Sequence, residues 1–581
     1  MTLLQELESR LAAALTKVLS EPTESPVTAA ADLRFGDYQS NAAMVLAKVR
    51  KTNPRALAQE IIHSIDLEGL ATAEIAGPGF INFRILPEAY AAYARKLLVD
   101  DQLGAPSVGA GQTVVIDFSA PNVAKPMHVG HIRSTIIGDS LCRIARFLGF
   151  KVIADNHIGD WGTQFGMILH GWKTNLNHEA LEADPISELL RLYREVNTAT
   201  KSDASVLENC KAELVKLQAG DEENLKIWTQ CIELSKVGLQ RIYDQLDVTF
   251  DHWLGESYYN DRLSGLVEEL LEKGIAKESE GAVCIFSDGT KTPEEDPFKV
   301  HKEGGWTDNP AIVRKADGGF LYATTDLATI EYRVENWQAD QIWYVVGVPQ
   351  QLHFRQLFDA TKRWGKTGNF RHVAFGSILG EDRKLMKTRS GDNVQLADVL
   401  NEAVEKAAAI IAEKNPDLRG DEAAKVARTV GIGAVKFAEL SQSRLTDYVF
   451  DWGRMLALQG DTAPYLQYSS VRIRSIFRKL EQEFDAADTE IILNAPEEIH
   501  LARLHARFGE VLPSTLDDFK PNLLANYLLE MARAFHSFFE ACPVLKSDEP
   551  TRSSRLALCQ LSARILETGL GLLGIRCPER M

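Results

Sequence analysis

Leu4, Leu7, Leu11, Leu15 and Val18 recur every three to four positions, so the chain opens on an amphipathic helix. The segments "DLRFGDYQSNAAMVLAK" and "EIAGPGFINFRI" predict a small mixed α/β unit. It ends in the glycine-, proline- and serine-bearing "LGAPSVGAGQ", residues 103–112. "TVVIDFS" (113–119) then reads as a short buried strand, and "KVIADNH" (151–157) as a second. Between them Ile136, Ile137, Leu141, Ile144 and Leu148 repeat at helical spacing up to Gly149, a helix-stopping position. Strand, helix, strand in so short a stretch is the signature of a parallel sheet. The pattern resumes at "QIWYVVG" (341–347), the helical "HFRQLFDATKRWG" (353–365) and "RHVAFGSI" (371–378). One doubly wound sheet, split by a charged and mainly helical insertion over roughly 175–300, accounts for both parts. Beyond residue 394 the alternating pattern gives way to three-to-four spacing, in "LNEAVEKAAAIIAEK", "AAKVARTVGIGAVKFAEL", "YLQYSSVRIRSIFRKLEQEF" and "SSRLALCQLSARILETGLGLL". The last third is therefore expected to be a helix bundle, with a boundary near Asp461–Pro464.

A chain of 581 residues is too long for one core, which agrees with several domains. A net charge of −17 argues against a general coat for nucleic acid or an anionic membrane, although a local basic face remains open. The seven cysteines are scattered, odd in number and contain no C-x-x-C, which suggests neither a disulfide framework nor a zinc knuckle and fits a reducing compartment. The N-terminus lacks the layout of a secretory signal, and no apolar run is long enough to span a bilayer. A cytoplasmic protein is expected.

The candidate chemistry begins in "SAPNVAKPMHVGHIRSTIIGDS", residues 119–140. His128 and His131 flank Gly130 at the point where the first strand gives way to its helix. A helix N-terminus at the carboxyl edge of a parallel sheet offers unpaired N–H donors and a partial positive charge. With two imidazoles, Lys125 and a glycine that permits close approach, it would suit a polyphosphate and its adenine. A metal site is the rival, but its further ligands would have to come from Asp155, His157 or Asp160 on the next strand and loop. A merely polar turn would leave the convergence of Lys125, His128, Gly130 and His131 without a reason. "GEDRKLMKTRSGD" (380–392) is a glycine-bracketed basic loop at the same expected edge, as if to close on phosphates; read alone it is equally a solvated loop. No G-x-G-x-x-G opens the first helix, and "ATKRWGKT" (360–367) lacks the first glycine of a Walker A and sits at a helix end.

"PMHVGH" resembles the HIGH motif of class I aminoacyl-tRNA synthetases, and "KLMKT" a degenerate form of their KMSKS motif. "DFSAPNVAKPMHVGHIRSTIIGD", "NHIGDWGTQFG", "LYATTDLATIEYR", "FDWGRMLALQGDTAPYLQYSS" and the terminal "PERM" resemble the arginyl-tRNA synthetases of bacterial type, in that family's order and nearly end to end. The resemblance implies a multidomain α/β chain: an N-terminal α+β additional domain touching the tRNA elbow (1–108), a class I Rossmann-like parallel-sheet catalytic domain with its insertion (109–394), a helical connection (395–460) and an all-α anticodon-binding bundle (461–581). It implies ATP with Mg2+, L-arginine and tRNA(Arg) as partners, no zinc, and a monomer. His128, Gly130 and His131 would hold ATP, with Lys384 and Lys387 clamping the leaving pyrophosphate and Lys125 sharing the phosphate work. Leu385, Met386 and Thr388 depart from the motif while both lysine positions remain.

An arginine pocket needs carboxylates with hydroxyl or amide support. By resemblance Tyr322 and Asp326 would take the guanidinium, Asn122 and Gln350 the α-amino and carboxylate end, with Asp117 nearby. A helix N-cap is the lesser alternative for Asp326. Such a substrate is selected in one step, so no editing domain is expected. For RNA, the candidates are Arg34, Tyr38 and Asn41 in the first domain, and Tyr465, Tyr468, Arg472 and Arg474 where the last one opens.

Overall fold

The structure, a computed structural model, describes every residue except 22–25, 381, 382, 385, 387–393 and 481–483. Its backbone forms two compact units: Met1–Val108 together with Ala457–Met581, and Gly109–Leu456.

The second unit is built on four parallel strands in the order Asn369–His372, Gln341–Tyr344, Thr113–Asp117, Lys151–Asp155. Val114, Val115 and Ile116 are fully buried, as a strand covered on both faces requires. The chain runs from Thr113–Asp117 to Lys151–Asp155 on one side, then returns to place Gln341–Tyr344 on the other. The first and third strands therefore send their loops in opposite directions, and a crevice opens between them at the carboxyl edge.

The strands end in an electrostatic conflict. Asp117 and Asp155 are register partners at the carboxyl ends of neighbouring strands. Arg333, on the helix Tyr322–Glu335, settles it: one guanidinium nitrogen donates to Asp117 Oδ2 at 2.6 Å and to Asp155 Oδ2 at 2.7 Å. None of the three side chains is more than 7% exposed.

The insertion is mainly helical over 175–300, as expected, and gives way to strands toward and beyond its end. Its first part is helical, from Thr163–Asn175 to Glu222–Leu246, around Phe165, Ile168, Leu169, Leu189, Leu217 and Cys231. Its second part is β: Ala276–Ser279, Ala282–Ile285 and Ala311–Arg314 form an antiparallel sheet, and Lys299–Lys302 pairs with Gly305–Asp308. Glu280 and Gly281 take positive φ of 52° and 80°, a two-residue turn whose twist suits a hairpin.

A correction concerns 371–378. Asn369–His372 stays in the sheet, whereas Ile378–Leu379 leaves it and pairs in parallel with Tyr448–Val449, inside the region expected to be purely helical. Gly376 makes this approach possible, since a Cβ there would lie 2.7 Å from Asp447 Oδ1 and 3.0 Å from the Leu445 carbonyl.

In the first unit an antiparallel sheet of Thr28–Ala29, Tyr38–Ser40, Phe80–Ile85 and Ala71–Ala76 shares a fold with the C-terminal helices. The helix Pro87–Val99 packs on Pro496–Asp517 and Thr551–Leu572. Arg564 of the last helix donates to the Leu97 and Asp100 carbonyls at 3.1 and 2.9 Å. The two ends of the chain thus build one body, which local periodicity could not reveal.

Replacing Arg333 with Met strands two buried carboxylates, so a loss of about 3–5 kcal/mol is expected. Denaturant unfolding followed by tryptophan fluorescence measures it, and adding Asp117→Asn with Asp155→Asn should recover much of the loss.

Candidate functional site

The loop after the first strand carries the histidines. His128 is extended, and Val129–His131 forms a single tight turn into the helix Ile132–Phe147. The two rings face each other, with centroids 3.9 Å apart. The Gly130 N–H donates to His128 Nδ1 and the His128 N–H to His131 Nδ1, both at 3.1 Å. With its Nδ1 accepting, His128 carries its ring proton on Nε2, a donor left for a ligand, whereas His131 Nδ1 lies near both the N–H and, at 3.3 Å, the carbonyl of His128. Burial lowers the pKa of both rings, and His131, beside His128, falls to about 4. At neutral pH they are therefore uncharged donors, suited to phosphate oxygens without acting as acids.

Metal binding is not what this arrangement favours. Asp155 is engaged by Arg333, and His157 Nδ1 lies 2.9 Å from the Leu254 carbonyl. Among the described residues no group of three or more His, Cys, Asp or Glu is placed to hold an ion.

The expected cationic groups are placed as follows. Lys125 Nζ lies 4.3 Å from the ring centroid of Tyr193, on the insertion helix Pro185–Ser202. The basic loop is tied at both ends. It leaves Ile378–Leu379 through a tight turn in which the Gly380 N–H donates to the Lys384 carbonyl at 2.8 Å. It returns directly to the histidines: the Val129 N–H donates to the Val394 carbonyl and the Leu396 N–H to the Met127 carbonyl, both at 2.9 Å. Lys384 is exposed on this loop, and Lys387 lies outside the described residues.

Across the crevice the groups are acidic. Tyr322 and Asp326, four apart, share one face of the helix Tyr322–Glu335. Asp326 lies in the second turn and the N-cap is Leu321, which removes the capping alternative. His353 joins them: its Nε2 is 2.6 Å from Asp326 Oδ2, and its ring lies edge-on to Tyr322 at 4.8 Å. Gln350 is exposed in the turn before the helix Gln351–Trp364. Asn122 is exposed beside Gly159, where a Cβ would fall 2.3 Å from Asn122 Oδ1. Asp117, expected nearby, has its carboxylate buried against Arg333.

Two groups here escaped sequence reasoning. His353 lay in a segment read only for its helical period. Glu256 lay in the insertion, where nothing in the local pattern marks it. Asp160 holds that segment by accepting the Ser257 N–H and hydroxyl at 2.8 and 2.7 Å. Burial raises the Glu256 pKa to about 7; the Asp160 and Asp326 carboxylates add to the rise, while His157 and the Trp161 N–H oppose it. A cation entering between Asp326 and Glu256 would relieve that repulsion.

The RNA candidates separate by exposure. Arg34 is 83% exposed, though paired with Asp32, and sits between exposed Leu33 and Phe35; Asn41 is also exposed. Tyr38 is a correction: it is 2% exposed, donates to Glu510 at 2.8 Å and presents no face to a base. On the helix Ala463–Phe477, Tyr465, Tyr468 and Arg472 fall on one face, with Arg472 4.9 Å from the Phe539 ring centroid. Arg474 turns to the opposite side and donates to Glu567 at 2.6 Å.

Comparison with known proteins follows the same division. A family model described as "tRNA synthetases class I (R), catalytic domain" matches residues 94–452. Others, described as "DALR anticodon binding domain" and "Arginyl tRNA synthetase N terminal domain", match 466–581 and 5–85. The arginine--tRNA ligase of Chromobacterium violaceum is 43% identical over 100% of both chains, and that of Cellvibrio japonicus 45% identical over 94% of each. The arginyl-tRNA synthetase structure from Plasmodium falciparum superimposes with a TM-score of 0.84 at 28% identity, covering 99% of each chain.

A Cβ on Gly130 would lie 2.8 Å from His128 Nδ1 and Cε1. Gly130→Ala should therefore turn the ring away and slow nucleotide-dependent turnover by about tenfold or more. Its melting temperature should match the unchanged protein, because Gly130 does not need positive φ.

Proposed function

The chain belongs to the arginyl-tRNA synthetases of class I, and from that premise we propose how its residues divide the work. The enzyme attaches L-arginine to tRNA(Arg) in two steps. An arginine carboxylate oxygen attacks the α-phosphorus of ATP, the bond to pyrophosphate breaks, and arginyl-adenylate forms. The 3′-terminal adenosine hydroxyl of tRNA then takes the arginyl group and AMP departs.

The observation that supports the assignment is the pair of facing imidazoles at the start of the helix Ile132–Phe147, together with the Asp326–His353 pair on the helices of the later half. Such a reaction needs alignment and charge stabilisation more than a protein nucleophile. In this reading His128 and His131 donate Nε2–H to ATP phosphates, and Gly130 leaves room for adenine. Lys384, Lys387 and Lys125 neutralise the charge that builds on the departing pyrophosphate. Mg2+ enters as part of the ATP complex, and we assign it no protein ligand.

Arginine lies with its guanidinium toward Asp326, Glu256 and the Tyr322 hydroxyl. His353 orients Asp326. Asn122 and Gln350 serve the α-amino and carboxylate groups, and Asp117 supports from beneath through Arg333. Arg34, Asn41, Tyr465, Tyr468 and Arg472, with exposed Phe35, are the RNA-facing set; Tyr38 and Arg474 serve the fold of their unit. A single chain supplies every group this reading uses, and the cytoplasm is where we place it.

ATP–pyrophosphate exchange with each of the twenty amino acids, with and without bulk tRNA, tests this reading. Exchange restricted to arginine is expected. Exchange with another amino acid would overturn the pocket while leaving the phosphate site intact, and absence of exchange in folded, tRNA-binding protein would overturn both. The same assay yields a pH dependence. A carboxyl whose pKa is raised to about 7 is protonated below that value and cannot pair with a cation. The KM for arginine should therefore fall by about tenfold between pH 6 and 8. Glu256→Gln should raise KM and flatten that profile, with the KM for ATP unaffected.

A further inference from the structure

Arg133 is among the largest fully buried side chains in the protein, yet it faces neither ATP nor arginine in the reading above. It lies two residues beyond His131 on the helix Ile132–Phe147. Its Nε donates to Glu439 Oε2 at 3.0 Å, and its Nη1 to the Thr446 carbonyl at 3.0 Å. Glu439 also accepts from the Tyr448 hydroxyl, and the Arg133 guanidinium carbon lies 5.4 Å from the Tyr448 ring centroid. Both charged side chains are no more than 1% exposed.

Tyr448 is the residue that pairs with Ile378, in the short strand from which the basic loop departs. The attachment is reinforced on both sides: the Gly376 N–H donates to the Arg444 carbonyl at 2.9 Å, and the Phe450 N–H to the Leu379 carbonyl at 3.0 Å. One cluster therefore connects the helix that begins at the histidines to the strand from which the lysines are hung.

A second ion pair sets the register of the two helices. Asp139, further along the histidine helix, lies 3.7 Å from Lys436, which precedes Glu439 on Gly420–Leu440. The helices are antiparallel, and the signs are crossed: Arg133 with Glu439, Asp139 with Lys436. Sliding one helix by about one turn would set Lys436 against Arg133. Buried ion pairs are weak sources of stability, since apolar side chains of similar volume often do as well. Their attested value is in fixing register, and here the register determines where the strand before the loop begins.

We propose that Arg133, Glu439 and Tyr448 are positioning residues for the activation step, fixing the strand Ile378–Leu379, and with it Lys384, relative to the helix that begins at the histidines. The proposal rests on the reading of Lys384 as a pyrophosphate ligand. Activation, in which the lysines act on departing pyrophosphate, depends on this alignment. Transfer of arginine from preformed adenylate to tRNA does not.

The test compares the two steps in Tyr448→Phe, and in Arg133→Met combined with Glu439→Leu, a pair that keeps the core filled. Pyrophosphate exchange should slow by about tenfold or more, since small displacements of reacting groups carry costs of this size. The KM for arginine and the single-turnover transfer rate from preformed arginyl-adenylate should remain within about twofold of the unchanged enzyme. Equal losses in both steps, or a loss that tracks only a fall in melting temperature, would overturn the proposal, as would unchanged exchange in both variants. Lys384→Ala separates the underlying reading. If it alone leaves exchange intact, the loop assignment fails. If it slows exchange, adding Tyr448→Phe should cost little more, and fully additive losses would reject the coupling.

Discussion

Two aspartates at the ends of neighbouring strands cannot both stay ionised inside a protein without a cation between them. Asp117 and Asp155 occupy such positions, and Arg333 supplies the charge from the helix that also bears Tyr322 and Asp326. The interaction does more than settle the sheet edge. It anchors the substrate-side helix to the first two strands, so the carboxylate face and the histidine loop are referred to one rigid frame.

The crevice must accept an anion and a cation together. A parallel sheet suits that demand, because the first and third strands send their loops apart at the point where the chain reverses its direction of build. In the proposed reading the histidine side meets phosphate with neutral imidazoles and with lysines. In the same reading the far side offers carboxylates to the guanidinium. Complementary charge is therefore built locally, whatever the chain's net charge of −17.

Much of this was legible in local pattern. Buried strands such as Thr113–Asp117 show as β-branched runs, and the helix after His131 shows by its period, because each depends on neighbours close in sequence. The histidines, the glycine between them and the two lysines stand out because their chemistry is packed into short segments. Glu256 and His353 did not stand out. Each acquires its role from a partner on another element, Asp326 in both cases, and neither has a marked local setting. Tyr38 misled for the converse reason: an aromatic in a polar segment reads as a surface residue until the distant Glu510 is found beside it.

By itself, then, the amino-acid order determined most element types, the parallel sheet and the histidine and lysine motifs, since these follow from periodicity, turn chemistry and contiguous residues. Tertiary structure alone decided which carboxylates face the crevice, how Ile378–Leu379 leaves the sheet, and that the two chain ends form one body. Those outcomes depend on burial and on charge pairing between residues hundreds of positions apart, such as Arg133 with Glu439 and Asp117 with Arg333. Desolvation and pairing are properties of a place in space, and a place in space exists only once the chain has folded.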